Sequence, residues 1–412
     1  MTSNYYEKLF IYLYITSINL HLLRNIIPLY EIIILIILFL CVICFLPKFK
    51  FNSQDKILWL WVLIIFGIIY IILITFFQKN IWNQYIPLDQ ILVGTSRIIL
   101  MPLTMLILFP AVYDDKLING IINIFIIVSL LSVLSLIYQY YMGSISWFAD
   151  PGSQRGNNIR YASLHGSKTV SSTSLSIAIL CTYFTQKNLI IKIVSISLLF
   201  VGLILILQKS SIVNVVLILL LIFLFSKHKF LNLFYIIIGS LISYYLFNIL
   251  KEINSEMIVI SHLDSILNFS LDTGKYDSLN QENFAFRFYG GAINMMNEYG
   301  WSIPFSGIGL MGAGASMGVD GGQAHNTFWD LIFMGSIIFL MFFVISLFII
   351  FHRNLLIGGK FSKLFITSNI LFITNCMQGS ILFFQPVTSI IFWLSMAYSS
   401  KLFISRIETL KT

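Results

Sequence analysis

Residues 57–77 read "ILWLWVLIIFGIIYIILITFF", twenty-one residues without a charge or a proline. Peptide groups in hydrocarbon must find hydrogen bonds within their own segment. An apolar run of about 20 residues therefore folds as a membrane-spanning helix. The whole chain follows this stretch. Of its 412 residues, 58% are hydrophobic and 10% charged, with a mean hydropathy of +0.90. A soluble domain carries about 25% charged residues. The expected fold class is all-α and polytopic. The first apolar run lacks an A-x-A cleavage site and leads into another span, so a retained helix is expected there.

Twelve spans are expected, near 9–27, 29–46, 57–77, 91–113, 117–142, 170–186, 189–207, 211–226, 229–250, 326–351, 361–378 and 380–398. With the N-terminus inside, fifteen of the twenty-five Lys and Arg residues fall in inside segments. These include Lys8, Lys48, Lys116, Arg353, Lys360 and Lys401. Cytoplasmic loops carry such an excess, so both termini are expected in the cytoplasm. The net charge of +8 does not imply nucleic acid, because the basic residues are scattered and form no stripe. Cys41, Cys44, Cys181 and Cys376 all lie in apolar runs. They imply neither a disulfide framework nor a metal site.

Two outer loops stand apart, 143–169 and 251–325, within a single transmembrane domain of residues 1–412. The first loop carries Arg155, Arg160, His165 and Lys168 against one acid, Asp150. Arginine's planar fork suits phosphate, and such a set is either a solvated loop or an anion site. The second loop contains "FAFRFYGGAINMMNEYGWSIPFSGIG" at 284–309. A helix from Arg287 to Met296 would place Phe288, Ala292 and Met295 on one face, followed by a Pro and Gly turn. Lys209, in "LILQKSSIVNV", sits at an outer edge, where it either snorkels or faces the same cavity. Arg97 falls inside a span; intramembrane charge marks function or a structural ion pair.

The segment "GGQAHNTFWDLIFMG" at 321–335 opens the tenth span. Asn326 or Thr327 can cap the helix, and Asp330 stands at the third helical position if Thr327 is the cap. Capping does not explain His325. A helix N-terminus disfavours imidazolium, so a neutral ring able to accept a proton is expected.

The order of these motifs resembles the bacterial O-antigen polymerase (Wzy-type) and O-antigen ligase (WaaL-type) superfamily of membrane glycosyltransferases. Arg160 lies in a first outer loop and "QKSS" joins a helix pair. Arg287 precedes "PFSGIG", and "AHN" heads a span with Gly335 downstream. One departure is Lys209, which stands where many relatives carry Arg. The resemblance implies a GT-C-like fold in the bacterial inner membrane and chemistry at its periplasmic face. It also implies a donor chain on undecaprenyl pyrophosphate, no metal and no cofactor. On that basis His325 and Arg287 are the expected catalytic pair. Arg160, Lys209 and Arg155 would bind pyrophosphate, with Asn326, Asp330 and Arg97 in support. Polymerase is the first expectation, working alongside membrane lipid and a chain-length regulator. Ligase, with lipid A-core as acceptor, is the alternative. A lipid-linked sugar flippase predicts charges through the middle of several spans, and here Arg97 alone clearly qualifies.

Overall fold

The computed structural model describes residues 5–27, 30–45, 55–82, 85–148, 154–155, 158–159, 161–206, 208–226, 289–318, 324 and 326–401. Within them the protein is helical, apart from one two-residue antiparallel pairing of Gln154–Arg155 with Asn158–Ile159. The chain divides into two compact units, residues 1–128 with 278–412, and residues 129–277. The expected ninth span, 229–250, and most of the loop 251–325 lie outside the described residues.

The first unit begins with α1 (Tyr5–Asn19), α2 (Tyr30–Phe45), α3 (Lys56–Trp82), α4 (Leu88–Ala111) and the start of α5 (Asp115–Met142). The apolar run at 57–77 forms the body of α3. Apolar runs within α3, α4, α5 and a later helix, Thr327–Ile357, are long enough to cross a membrane. The first expected span is not continuous. Helix α1 stops at Asn19, whose amide turns back to the Ile15 carbonyl, and a short 3-10 turn over His21–Asn25 follows. Tyr30 secures the corner by donating to the carbonyls of Ser17 and Leu20. Polar side chains tie α4 to its neighbours. Tyr14 and Thr104 share a hydrogen bond of 2.5 Å, and the Trp61 indole donates to the Pro102 carbonyl at 2.8 Å. Such pairing is what a buried indole or phenol requires.

Helices numbered α6 (Lys168–Thr185), α7 (Leu189–Leu205) and α8 (Lys209–Phe225) build the second unit with the end of α5. Its seam is small and polar. Ser171, Ser172, Thr173, Ser174 and Ser176 are all fully buried on α6. Ser172 bonds Ser211 at 2.9 Å, and Asn214 donates to Ser172 at 3.3 Å. Small residues let helices approach where lipid supplies no hydrophobic drive. The "QKSS" junction belongs to this seam, since Gln208 donates to Thr169 and Ser210 and Ser211 are buried. His165, expected in a cationic loop, is instead fully buried, with Nε2 3.0 Å from the Ser129 hydroxyl. Its backbone sits in a tight turn closed by Ser163, which removes the ring from solvent.

The chain returns to the first unit with α9 (Gly291–Tyr299), α10 (Ile303–Ser306), a 3-10 segment (Gly309–Met317), α11 (Thr327–Ile357), α12 (Gly359–Cys376) and α13 (Pro386–Ser399). The last expected span began at 380; the helix starts at Pro386, because residues 377–385 form a folded-back loop. An aromatic core lies behind that loop. Phe343 and Phe383 stand 4.5 Å apart, Phe383 and Phe392 4.9 Å, and the Trp393 indole donates to the Phe383 carbonyl. Gly67 of α3 admits the Phe339 ring where any Cβ would overlap it.

Charged groups close one end of this unit. Arg353 bonds Asp55 at 2.6 Å and the Ser399 carbonyl, while Asp55 also caps α3 through the Ile57 amide. Lys8 pairs with Asp114, Lys401 with Asp115, and Lys360 with Asn119. The side-chain bond from Lys8, with the amides of Lys116 and Leu117, holds the Asp114 carboxyl below its ordinary range. A depressed carboxyl contributes stability above its unfolded pKa and loses it as pH falls through the folded value. Asp114→Asn should therefore flatten the acid limb of a thermal-stability profile. The pair is partly solvated, so the change should stay below about 1 kcal/mol. Melting temperatures of the detergent-solubilised protein across acid pH measure it.

Candidate functional site

The opposite end of the first unit carries "PFSGIG" and the start of α11. Arg160, Arg287 and His325 lie outside the described residues. Arg155 is described by its backbone on the short strand, and Lys209 as the first residue of α8; both belong to the second unit. Asn326, Asp330 and Arg97 are described in full, all in the first unit.

Asn326 is the N-cap of α11, accepting the Phe328 amide at 3.0 Å. Its amide also donates to the Met377 carbonyl at 3.2 Å. Thr327 is not the cap. Its hydroxyl donates to the Gly379 carbonyl and accepts the Leu382 amide. Both residues therefore clamp the 377–385 loop as well as starting a helix. The expected capping box is corrected too, because a cap at 326 moves Asp330 one position beyond the third. Asp330 is fully buried, and its Oδ1 accepts the Ala324 amide at 3.3 Å. The Ser380 hydroxyl and Ile381 amide lie beside the carboxylate. Oδ2 has no protein partner among the described residues. The carboxyl thus fixes the residue before His325 to the loop between α12 and α13.

The other motif meets the same segment. Helix α9 buries Ala292 and Met295, as the spacing predicted, although the helix begins at Gly291. A Cβ on Gly291 would stand 2.7 Å from the Ala324 carbonyl oxygen. Real Cβ atoms do not approach so closely, so glycine is required there. Segments flanking Arg287 and His325 are therefore packed backbone to backbone.

Beyond α9, "PFSGIG" lies along a break in α11. Ser336 is at φ 78° and ψ 169°, which interrupts the helix after Gly335. The Phe333 carbonyl accepts the Ile308 amide at 2.6 Å. Gly307, at φ 70°, approaches the Met334 carbonyl. On the far side Tyr70 donates to the Ser306 carbonyl, Gln78 to that of Ile308, and Thr75 accepts the Leu310 amide. The turn residues weld the loop to α3 and α11. Broken helix is tolerated at membrane depth only where protein re-satisfies the freed groups.

Arg97 lies in α4 with its Nε and Nη2 both on Oε1 of Glu31, at 3.3 and 3.2 Å. Glu31 is in the first turn of α2. Arg24, on the preceding 3-10 turn, is close enough to interact electrostatically with both. Gly318 closes over the pair. It adopts φ 75°, and a Cβ there would stand 2.9 Å from Arg97 Nη1. Gly318→Ala should cost about 1–2 kcal/mol from the left-handed backbone, before any displacement of Arg97. Chemical denaturation of the purified protein, read by tryptophan fluorescence, tests the size of that loss.

Sequence reasoning missed Glu31, Arg24 and the 377–385 loop. A signal existed for Glu31, as an acid at the head of an apolar span able to answer an intramembrane arginine. The loop's local marks are Gly379 and Ser380 and the Pro386 that follows it, a turn signal and a helix-start signal that the span expected from 380 passed over. No family model matches the chain, and neither does any curated protein.

Proposed function

We propose that the protein is an O-antigen polymerase, joining oligosaccharide repeat units carried on undecaprenyl pyrophosphate. In this reading it is a GT-C-like enzyme of twelve spans in the bacterial inner membrane, with cytoplasmic termini and a periplasmic active site. His325 orients or deprotonates the attacking sugar hydroxyl, and Arg287 stabilises charge on the departing pyrophosphate. Arg160, Lys209 and Arg155 bind the donor's phosphates. The reaction requires no metal or cofactor.

The observation that carries the reading is the contact of Gly291 with Ala324. It ties the segment after Arg287 to the residue before His325, as a shared cavity for base and cation requires. Asp330 supports it, since its buried carboxylate anchors Ala324. General base catalysis depends on such positioning.

Deletion of the gene followed by gel analysis of surface lipopolysaccharide tests the proposal. Core carrying one repeat unit is the expected result. Bare core, with polymer retained on undecaprenyl pyrophosphate, assigns the protein as the ligase. Normal polymer in the deletion strain rejects both. Polymer at full length from His325→Ala and Arg287→Ala, with verified expression, removes those two residues from the mechanism.

A further inference from the structure

Helix α10 is a single turn, and two aromatic side chains stand clear of it. Phe305 is 76% exposed, and Trp301, just before the turn, 66%. Ile303 and Ile308 are buried on the inner side. The two flanking helices give the depth of this turn. On α3, Tyr70 holds the Ser306 carbonyl and Gln78, where the apolar span ends, holds that of Ile308. Tyr70 lies about 12 Å back from Gln78 along the helix, at 1.5 Å per residue. On α11, the Phe333 carbonyl accepts the Ile308 amide and the Met334 carbonyl meets Gly307. Met334 lies about 10 Å in from Thr327, where that span begins. Both helices therefore place the turn within the apolar zone, whose hydrocarbon core is about 30 Å thick.

Its backbone suits that depth. The amides of Ile303, Phe305, Ser306, Gly307 and Ile308 each donate to a carbonyl, and Pro304 has no N–H. The turn thus offers no free donor from Ile303 to Ile308, a condition that hydrocarbon imposes and water does not. The adjoining surface is apolar. Trp59, Leu63, Phe66, Tyr70, Leu73 and Phe77 recur along one face of α3, and all are exposed. Tyr70 stands within this stripe with its hydroxyl turned onto Ser306. A water-filled cavity would be lined by polar groups instead.

We infer that residues 301–306 form a re-entrant turn that inserts Phe305 among the hydrocarbon chains of the bilayer, with Trp301 at headgroup level. Tryptophan favours that interface. Glu298, exposed on α9, then lies on the water side of it. The turn acts as an anchor. It sets the depth of α9 in the membrane and, through the contact of Gly291 with Ala324, the depth of the segment that starts α11. The inference rests on the flanking helices and the bonding of the turn, independently of the polymerase proposal.

Nitroxide labels on the full-length protein in phosphatidylcholine nanodiscs test the anchor. Cys44→Ser removes the exposed native thiol, while Cys41, Cys181 and Cys376 are buried. In that background the labelled positions are Phe305→Cys, Leu73→Cys as the lipid reference and Glu298→Cys as the water reference. Collisions with dissolved oxygen, which partitions into hydrocarbon, are compared with those of a water-soluble nickel chelate. The label at 305 should favour oxygen several-fold, as the label at 73 does, and the label at 298 should favour the chelate. Phe305 is mostly exposed, so its replacement removes little packing; Trp301→Cys supplies a second position, where an intermediate ratio is expected. Preference for the chelate at 305 would show an aqueous cavity and overturn the inference. Protection from both reagents would show that protein covers the turn, either another segment of this chain or a second copy, and would overturn it equally. No sugar transfer enters this measurement, so it can fail while the polymer gel succeeds, and the reverse.

Discussion

Under the polymerase proposal, cells carrying Gly291→Ala should lose polymer by about two orders of magnitude while the protein remains inserted and folded. The added methyl would stand 2.7 Å from the Ala324 oxygen and 3.1 Å from the Ala324 Cα. Both are backbone atoms, so no side chain can rotate away. The strain must move α9 or the Ala324 segment. The latter is held by Asp330 on one side and lies next to Asn326, itself clamped to Met377. Displacement of either segment disturbs the positioning that the proposed mechanism asks of base and cation, and a shift of about 1 Å can cost a factor of 100 in rate. Gly358→Ala is the matched control. Gly358 adopts φ 70° with no atom within 4 Å of its missing Cβ, so it carries backbone strain alone and should leave polymer intact. Lipopolysaccharide gels with membrane-fraction immunoblots separate lost activity from lost protein. Equal polymer from the two variants would contradict the assignment.

Arg353→Met should destabilise the first unit by about 3–5 kcal/mol, since it strands a buried carboxylate. Asp55 keeps 4% of its side-chain surface exposed and Arg353 12%. The arginine also reaches the Ser399 carbonyl, joining α3, α11 and α13 at one end. Asp55 retains the Ile57 amide, which offsets part of the loss. Adding Asp55→Asn to Arg353→Met should recover much of the stability, because a neutral amide leaves no buried charge and can still cap α3. Thermal unfolding in detergent provides the comparison. A double variant no more stable than the single one would mean that the arginine acts through packing rather than charge.

The two ends of the first unit show why some residues were legible and others were not. Lys8, Arg353, Lys360 and Lys401 were grouped on one side by the charge rule alone, and the fold brings them to one end with acids or amides against them. The basic residues are local features of the chain, so their grouping is legible in the sequence. Arg97 was recognisable as a charge needing an answer, but its partner stands 66 residues earlier in the chain. His165 was misplaced because "NIRYASLHGSKT" is polar in composition, whereas packing of α5 against the buried turn decides its burial. Asp330 was expected as a local cap; its partners at Ala324 and the 377–385 loop appear only once α12 and α13 are assembled.

The apolar run at 57–77 by itself determined that α3 is helical and of spanning length, because hydrocarbon offers a peptide group no other partner. Sequence likewise determined the helical class and that Asn326 could start α11. Only the tertiary structure decided that α11 breaks at Ser336, that Asn326 and Thr327 grip a distant loop, and that Gly291 touches Ala324. These are contacts between segments far apart in the chain. No periodicity records them, since each depends on the position of a backbone group that another segment supplies.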